Sequence, residues 1–276
     1  MRHFRLFASA LVYATIMATS ARPAWGQGPV SGRTLHVNDI EMYVEVRGKG
    51  DPLVLLHGFG SCGQVWAPFV DRFAGHYQVI IPDLRGHGRS TNPSGTFTHR
   101  QAALDVFALL DQLGVKHFKA MGMSAGGMVL LHMATQQRER MDAMVLISST
   151  PYFPENTRAI MREAAAEKVD PPDACATRGA SQMRELAGQF VRFKDSYDDM
   201  NFTPPYLGTI KARTLIVHGD RDPFFDVSIP VGMYDAIPGA ALWIVPEGRH
   251  IPIFKTHLRE FEDVALEFLG TQADKQ

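Results

Sequence analysis

The sequence has few cysteines and no excess of charge of either sign. Its 276 residues include only Cys62 and Cys175, which form no Cys-x-x-Cys motif and cannot alone supply the ligands of a tetrahedral zinc site. The 28 basic residues balance 29 acidic residues, so the formal net charge is −1. Without a basic excess, neither nucleic acid nor an anionic membrane surface is an expected partner.

Long apolar runs are absent as well, apart from residues 6–18 near the N-terminus, which carry no charge. This run of about 13 residues is too short to span a bilayer, which needs roughly 20. Arg2 and Arg5 precede it, and the Ala-Trp-Gly tripeptide at 24–26 fits the small-x-small rule for signal-peptidase cleavage. We therefore predict a secretory signal peptide over residues 1–26, with a retained amphipathic anchor as the alternative.

Removal of this signal would leave an acidic, exported chain. The remainder carries 25 basic and 29 acidic residues, a net charge of −4, which suits a protein exported in soluble form. We expect it in the periplasm or outside the cell, with no stable membrane insertion after cleavage. Export also permits a disulfide. The sequence leaves open whether Cys62 and Cys175 pair, and two separate thiols are the simpler interpretation.

Strand-like and helix-like patterns alternate along the rest of the chain. Eight segments have strand character: 34–37, 42–46, 53–56, 77–81, 118–121, 144–147, 214–217 and 242–245. Some of them, such as 53–56, are wholly apolar, which is typical of strands buried on both faces. Apolar residues recur at helical intervals between several of them, in 65–73, 102–113, 125–134 and 258–269. This rhythm predicts an α/β fold with a mostly parallel sheet flanked by helices.

One stretch, between residues 148 and 211, interrupts the alternation. It is punctuated by prolines and contains two amphipathic helix candidates, residues 158–168 and a segment whose apolar stripe includes Phe190 and Phe193. We predict a helical cap at 149–210 lying over the carboxyl edge of the sheet. Residues 27–148 and 211–276 would then form the core domain.

The strongest local motif is Gly-x-Ser-x-Gly at residues 122–126. It follows a strand-like run and opens a helical one, so Ser124 would sit on a sharp strand-to-helix turn with its hydroxyl exposed. Gly122 and Gly126 remove side chains that would clash in such a turn. Free N–H groups at the start of the following helix favour a developing oxyanion. The motif therefore predicts a nucleophilic serine.

Four further motifs, in the same order and at the same places after strands, resemble those of the α/β-hydrolase family. They are His-Gly-Phe-Gly at 57–60, Asp-Leu-Arg-Gly-His-Gly-Arg-Ser at 83–90, His-Gly-Asp-Arg-Asp-Pro at 218–223 and Gly-Arg-His-Ile-Pro at 248–252. The resemblance extends from about residue 34 to residue 270. It implies the α/β-hydrolase fold and a catalytic triad in the chain order Ser, Asp, His.

The resemblance assigns Ser124 as nucleophile, His250 as its base and Asp222 as the acid that orients the imidazole. Asp220 and Asp226 compete with Asp222 for the third role, and His218 is the alternative base.

The implied oxyanion donors are the backbone N–H groups of Phe59 and Ala125. Asp83 and Arg85 are interpreted as a structural pair that braces the sheet edge.

Candidate substrate-contacting residues are Trp66, Met123, Phe190 and Phe193, although Trp66 is equally consistent with a core position. Other aromatic residues of the insertion are candidates for an apolar acyl pocket or for packing onto the sheet: Phe153, Tyr197, Phe202 and Tyr206. The adjacent carboxylates of Asp198 and Asp199 are expected to be solvated rather than to bind a metal.

Together these features predict an exported serine hydrolase that cleaves a small carboxylic ester through an acyl-enzyme, with no metal or organic cofactor. A lactonase, a carbon–carbon bond hydrolase and a cofactor-free perhydrolase-like enzyme are alternatives on the same triad. A ligand receptor or binding protein that retains the fold is the non-enzymatic alternative. Dehalogenases and epoxide hydrolases of the family carry Asp at the elbow, so Ser124 disfavours them.

The signal-peptide interpretation predicts where the mature chain begins. Full-length protein produced in a bacterium with a Sec pathway should start near Gln27, as measured by intact mass and N-terminal sequencing. A mature chain that begins at Met1 and fractionates with membranes would establish the retained anchor instead.

Overall fold

A computed structural model describes residues 32–164, 175 and 177–270 of the chain. The predicted signal peptide at 1–26 and the last part of the predicted cap helix, 165–168, lie outside the described residues. Within those residues, no helix has the length and apolar character needed to cross a membrane.

Eight strands form a single sheet. They are β1 (Gly32–Val37), β2 (Ile40–Arg47), β3 (Pro52–Leu56), β4 (Gln78–Pro82), β5 (Phe118–Met123), β6 (Met141–Ile147), β7 (Arg213–Gly219) and β8 (Ala241–Val245). Their spatial order is β1-β2-β4-β3-β5-β6-β7-β8. β2 runs antiparallel to β1 and β4, whereas every pairing from β4 to β8 is parallel. The predicted mostly parallel sheet is confirmed.

The helices are α1 (Ala67–Ala74), α2 (His99–Gln112), α3 (Ala125–Gln136), α4 (Glu155–Ala164), α5 (Ala180–Arg192), α6 (Pro204–Leu207), α7 (Ser228–Ala236) and α8 (Leu258–Gly270). Short 3₁₀ turns occupy Gly63–Trp66, Phe193–Asp195 and Lys255–His257. Thr98 caps α2 by accepting a hydrogen bond from the N–H of Gln101.

The alternation of side chains along the central strands produces two apolar layers. In β3, Leu53 and Leu55 join a buried cluster with side chains of α1 and α8. Val54 and Leu56 point to the opposite face and join a second cluster with α2, α3 and α7. All four side chains are fully buried, which explains why the strand is a continuous apolar run rather than an alternating one.

The predicted insertion contributes three helices between β6 and β7. α4 begins at Glu155, three residues before the predicted start, and α5 carries the predicted apolar stripe. An isolated bridge between Tyr152 and Asn201 joins the two ends of this segment. Its buried side chains Phe153, Met161 and Phe193 belong to the same apolar cluster as α2 and α3. The boundaries of a cap at 149–210 stay a prediction.

Two helices, the four-residue α6 and the longer α7, were not predicted. The α7 sequence contains Pro230 and Gly232, which lower helix propensity and obscure the helical spacing. Tertiary packing compensates, because Ile229 and Met233 are buried in the cluster below β7 and β8.

The two cysteines form a disulfide. Cys62 lies just after β3 and Cys175 lies in the insertion, and their Cα atoms are 5.6 Å apart. The structure therefore decides against separate thiols, which the sequence had made the simpler interpretation. The bond joins positions separated by 113 residues and ties the insertion to the core. A cross-link of this kind stabilises a protein chiefly by restricting its unfolded chain.

The disulfide predicts a specific loss of stability. Replacement of both Cys62 and Cys175 by Ala should lower the free energy of unfolding by about 2–4 kcal/mol, as measured by urea denaturation. A reducing agent should lower the stability of the wild type by a similar amount and leave the double variant unchanged. Equal sensitivity of both proteins to the reductant would show that this bond is not the stabilising cross-link.

Candidate active site

Ser124 occupies a strained turn between β5 and α3. Its backbone has φ 49° and ψ −117°, a combination that a non-glycine residue rarely adopts. The N–H of Ser124 donates to the carbonyl of Ile147 at 2.7 Å, which fixes the turn against β6. The turn thus holds the Ser124 side chain at the carboxyl edge of the sheet.

The two glycines of the motif have the steric role expected of them. A Cβ added to Gly122 would lie 2.5 Å from the backbone N of Gly127, and one added to Gly126 would lie 2.4 Å from the carbonyl oxygen of Leu56. Both distances are too short for any side chain, and the atoms met are backbone. The close approach of β5, α3 and β3 therefore requires glycine at both positions.

The structure brings together Ser124, His250 and Asp222. Nε2 of His250 is 3.0 Å from Oγ of Ser124, and Nδ1 of His250 is 2.7 Å from Oδ2 of Asp222. The His250 side chain is 7% exposed and that of Asp222 is fully buried. The arrangement satisfies the geometry in which a base contacts the nucleophile and is itself oriented by an acid.

The surroundings of Asp222 favour its ionised form. Burial alone raises the pKa of the carboxyl, but the charge of His250 and its hydrogen bond, together with the N–H of Phe224, outweigh burial and hold this pKa below its ordinary value. Oδ1 accepts hydrogen bonds from the N–H groups of Phe224 and Phe225 at 2.8 and 3.3 Å. Because the carboxylate is acceptor-only, Nδ1 of His250 is the donor and Nε2 can accept the Ser124 proton.

The loop that carries His250 has an unusual backbone conformation and is held by a hydrogen bond to the end of β6. Glu247 and Ile251 have φ of 55° and 57°, and for a β-branched residue such as Ile251 this conformation is an outlier. The N–H of Ile251 donates to Oγ of Ser148 at 3.0 Å, which attaches the loop to the end of β6.

Among the described residues, the hydrogen-bond partners of the His250 imidazole are Ser124 and Asp222, not the competing residues. Asp226 is exposed and accepts from the N–H of Ser228. Asp220 has an Oδ1 atom without a hydrogen-bond partner among the described residues. Nε2 of His218 donates to the carbonyl of Phe225 at 2.9 Å, and burial lowers the pKa of this imidazole. His218 thus supports the loop behind Asp222.

The predicted oxyanion loop lies beside the serine. A Cβ added to Gly58 would be 3.5 Å from Cβ of Ser124, so residues 57–60 pass directly over the turn. His57 fixes this loop, because its Nδ1 donates to the carbonyl of Gly58 and its Nε2 accepts from the N–H of Leu84. Ala125 is the first residue of α3, where the backbone N–H has no acceptor within the helix.

An apolar pocket of about 30 Å³ opens onto Ser124 and His250. The other described residues that line it are Phe59, His99, Ala125, Met128, Phe153, Thr157, Met161, Phe190, Phe193, Phe224 and Phe225. Phe190 and Phe193, which were predicted to contact substrate, are thus on its wall. The insertion therefore lies beside the serine and supplies five of the thirteen lining residues.

Two of the candidate substrate-contacting residues are not among those that line this pocket. Trp66 is fully buried and packs on Phe69, and Met123 belongs to the same cluster on the α1–α8 side of the sheet. Because the pocket is on the opposite side, neither side chain reaches it. Three aromatic candidates also lie elsewhere: Tyr197 is 63% exposed, and Phe202 and Tyr206 stack on each other around a separate polar cleft.

The charged pair after β4 has the expected structural role. Arg85 is nearly fully buried and bonds Asp105 through Nε at 2.8 Å and Asp39 through Nη2 at 2.7 Å. Asp83 accepts from the N–H groups of Gly63 and Arg89.

Asp199 departs from the prediction that it would be solvated. It is 8% exposed and accepts from the N–H groups of His99 and Arg100 at the start of α2. In the part of the chain that the structure describes, no group of three His, Cys, Asp or Glu side chains is placed to hold a metal ion.

Sequence reasoning missed several residues of the pocket. Phe224 and Phe225 follow Asp222 after one intervening proline and contact the His250 ring, with centroids 4.8 and 5.6 Å away. An aromatic pair so close to the predicted acid was an available signal. His99 carries no such signal, because its position depends on Asp199, a hundred residues along the chain.

Comparison with known proteins agrees with the fold. Residues 51–167 match the model of the α/β-hydrolase fold family. A meta-cleavage product hydrolase from Pseudomonas fluorescens IP01 superposes with a TM-score of 0.74 at 18% identity, over 87% of this chain and 97% of that one. This chain has the α/β-hydrolase fold. The enol-lactonase of Burkholderia xenovorans LB400 has the same fold, with a TM-score of 0.70 at 21% identity over 87% of this chain and all of that one.

A curated relative covers most of the sequence. The pimeloyl-[acyl-carrier protein] methyl ester esterase of Chromobacterium violaceum is 26% identical over 260 residues, which is 85% of this chain and all of that protein. That protein is an esterase, which supports a hydrolase for this chain.

The geometry predicts different consequences for two neighbouring carboxylates. Asp222→Asn should leave the His250 imidazole without its charged partner and lower the rate by about 10⁴-fold. Asp220→Asn makes the same chemical change two residues away, at a carboxylate that does not accept the hydrogen bond of His250 Nδ1, and should have a far smaller effect. Initial rates on a soluble p-nitrophenyl ester measure both, and a reversal of the two effects would assign the acid to Asp220.

Proposed function

We propose that this protein is an exported serine hydrolase that cleaves small carboxylic esters through an acyl-enzyme. The observation that carries the proposal is the continuous chain of hydrogen bonds from Ser124 through His250 to Asp222 at the mouth of an apolar pocket. Such a chain activates a hydroxyl that is otherwise a weak nucleophile at neutral pH.

In the first half of the reaction, Oγ of Ser124 attacks the ester carbonyl while Nε2 of His250 takes the hydroxyl proton. The ionised Asp222 stabilises the imidazolium that forms. The carbonyl oxygen becomes negatively charged, and the N–H groups of Phe59 and Ala125 are the proposed donors to it. Collapse of this intermediate breaks the bond to the alcohol oxygen, which receives the proton from His250.

In the second half, water replaces the alcohol. His250 takes a proton from the water as its oxygen attacks the acyl carbon, and the same oxyanion donors serve again. The bond to Oγ then breaks, the carboxylic acid leaves and Ser124 regains its proton. No redox step occurs, so this route needs no electron acceptor.

The pocket favours a short acyl group. A site for one water needs about 10–15 Å³, so a pocket of about 30 Å³ accepts only a few heavy atoms without movement of its walls. Its phenylalanine and methionine walls favour apolar carbon, at about 0.8 kcal/mol per buried methylene. Similarity to the methyl ester esterase of Chromobacterium violaceum supports ester hydrolysis. Similarity in fold to the enol-lactonase is the reason that lactones are included in the proposed substrate class.

Export is part of the proposal and rests on the N-terminal signal pattern of residues 1–26. The disulfide between Cys62 and Cys175 supports it, because such bonds persist in oxidising compartments.

Replacement of the nucleophile tests the proposal. Ser124→Ala should lower kcat/KM for p-nitrophenyl acetate and butyrate by about 10⁴–10⁶-fold while the melting temperature is retained. Ser181→Ala makes the same change at an exposed position of α5 and serves as the matched control.

A Ser124→Ala variant that keeps a tenth of the wild-type rate would exclude Ser124 as nucleophile. Wild-type protein that turns over no ester or lactone, yet binds such compounds, would favour the receptor alternative. Lactones measured beside the esters determine which of these two substrate classes is preferred.

A further inference from the structure

A second histidine–aspartate pair lies at the wall of the same pocket. His99 is the first residue of α2, and its imidazole lines the pocket although the residue is only 1% exposed. Aromatic rings surround it, with the centroids of Phe97, Phe153 and Phe193 at 5.3, 5.8 and 5.3 Å. A polar ring in such apolar surroundings requires a partner for each nitrogen.

Asp199 is the partner of one nitrogen. Its Oδ2 accepts from Nδ1 and from the backbone N–H of His99, both at 2.7 Å, and its Oδ1 accepts from the N–H of Arg100 at 3.0 Å. Burial raises the pKa of Asp199, but the hydrogen bonds and charge of His99 outweigh burial and bring this pKa to about 2. The carboxylate is therefore ionised and acceptor-only, which makes Nδ1 of His99 the donor and fixes the ring.

The other nitrogen, Nε2, is buried, and no described residue forms a hydrogen bond with it. It lies on the ring edge away from the Asp199 bond. The remaining polar groups of the pocket are already engaged, since the hydroxyl of Thr157 donates to the carbonyl of Phe224 and Ser124 is bonded to His250. His99 thus provides the one unpartnered polar side-chain atom among the described residues of the pocket wall.

The charges around the pocket define what this nitrogen can recognise. No described residue that lines the pocket is Lys or Arg, and Asp199 already places a negative charge against the ring. A substrate carboxylate would therefore be buried without a Lys or Arg partner, beside an imidazole that is already paired with the ionised Asp199. A hydroxyl group avoids this penalty, and it can donate to a neutral Nε2 or accept from a protonated one.

We propose that His99, oriented by Asp199, is a specificity-determining residue that hydrogen-bonds a hydroxyl on a short acyl chain, so that the preferred substrates are esters of hydroxy acids. This inference rests on the proposed ester hydrolysis for its kinetic test and is independent of it for its binding test.

The kinetic test compares p-nitrophenyl butyrate with the 2-hydroxybutyrate and 3-hydroxybutyrate esters. The wild type should prefer at least one hydroxylated ester by about tenfold in kcat/KM, the scale of one hydrogen bond. In His99→Asn this ratio should fall to about 1, because Nδ2 of Asn replaces Nδ1 toward Asp199 while nothing replaces Nε2. His117→Asn makes the same change at an exposed histidine near Asp142 and should keep the wild-type ratio.

The binding test uses Ser124→Ala and does not depend on turnover. By calorimetry, the favoured methyl hydroxybutyrate should bind about tenfold more tightly than methyl butyrate, and the further change His99→Asn should abolish the difference.

Equal kcat/KM and equal affinity for hydroxylated and plain acyl groups would overturn the inference while leaving ester hydrolysis intact. A wild-type preference for p-nitrophenyl hemisuccinate over both hydroxylated esters would overturn it in favour of a charged ligand. A wild type that hydrolyses no ester would contradict the proposed function instead, and the binding comparison would then decide the role of His99. If His99→Asn fails to fold, the wild-type ratio and the Ser124→Ala affinities decide alone.

Discussion

The arrangement of this molecule depends on the tight turn at Ser124. A left-handed backbone at a serine is energetically unfavourable, and it persists because the surrounding structure leaves no alternative. The N–H of Ser124 is bonded to β6, and the glycines on either side allow β3, β5 and α3 to approach within distances that no side chain permits. This close packing sets both the position of the hydroxyl and the direction of the free N–H groups of α3.

The parallel sheet brings distant segments to this turn. Because the carboxyl ends of parallel strands share one edge, the loops after β3, β7 and β8 all open beside the end of β5. His250 therefore contacts Ser124 across 126 positions of sequence. The insertion after β6 covers the same edge, and the disulfide from Cys175 to Cys62 attaches it close to the loop that carries Phe59.

Local signals were sufficient for much of the fold and for the turn at Ser124, whereas Asp222 and His250 were assigned through the resemblance to the α/β-hydrolase family. The apolar runs of β3 and β4 and the glycine pattern around Ser124 record constraints that act within a few residues, so they are visible in the sequence.

Features that depend on the final packing could not be predicted from such local patterns. The sequence did not decide whether the Trp66 side chain lies in the core or in the pocket, because a single tryptophan does not show which side of the sheet it faces. α7 contains Pro230 and Gly232, and only its packing against β7 and β8 compensates for them. The contact between His99 and Asp199, like the disulfide, joins segments about a hundred residues apart.

The central claim is that Ser124 is a nucleophile activated by His250, and a covalent probe tests it most directly. Incubation with a fluorophosphonate should add one adduct per chain by intact mass, peptide mapping should locate it at Ser124, and His250→Ala should slow its formation by orders of magnitude. An adduct on another residue, or labelling of Ser124 at an unchanged rate in His250→Ala, would contradict the account.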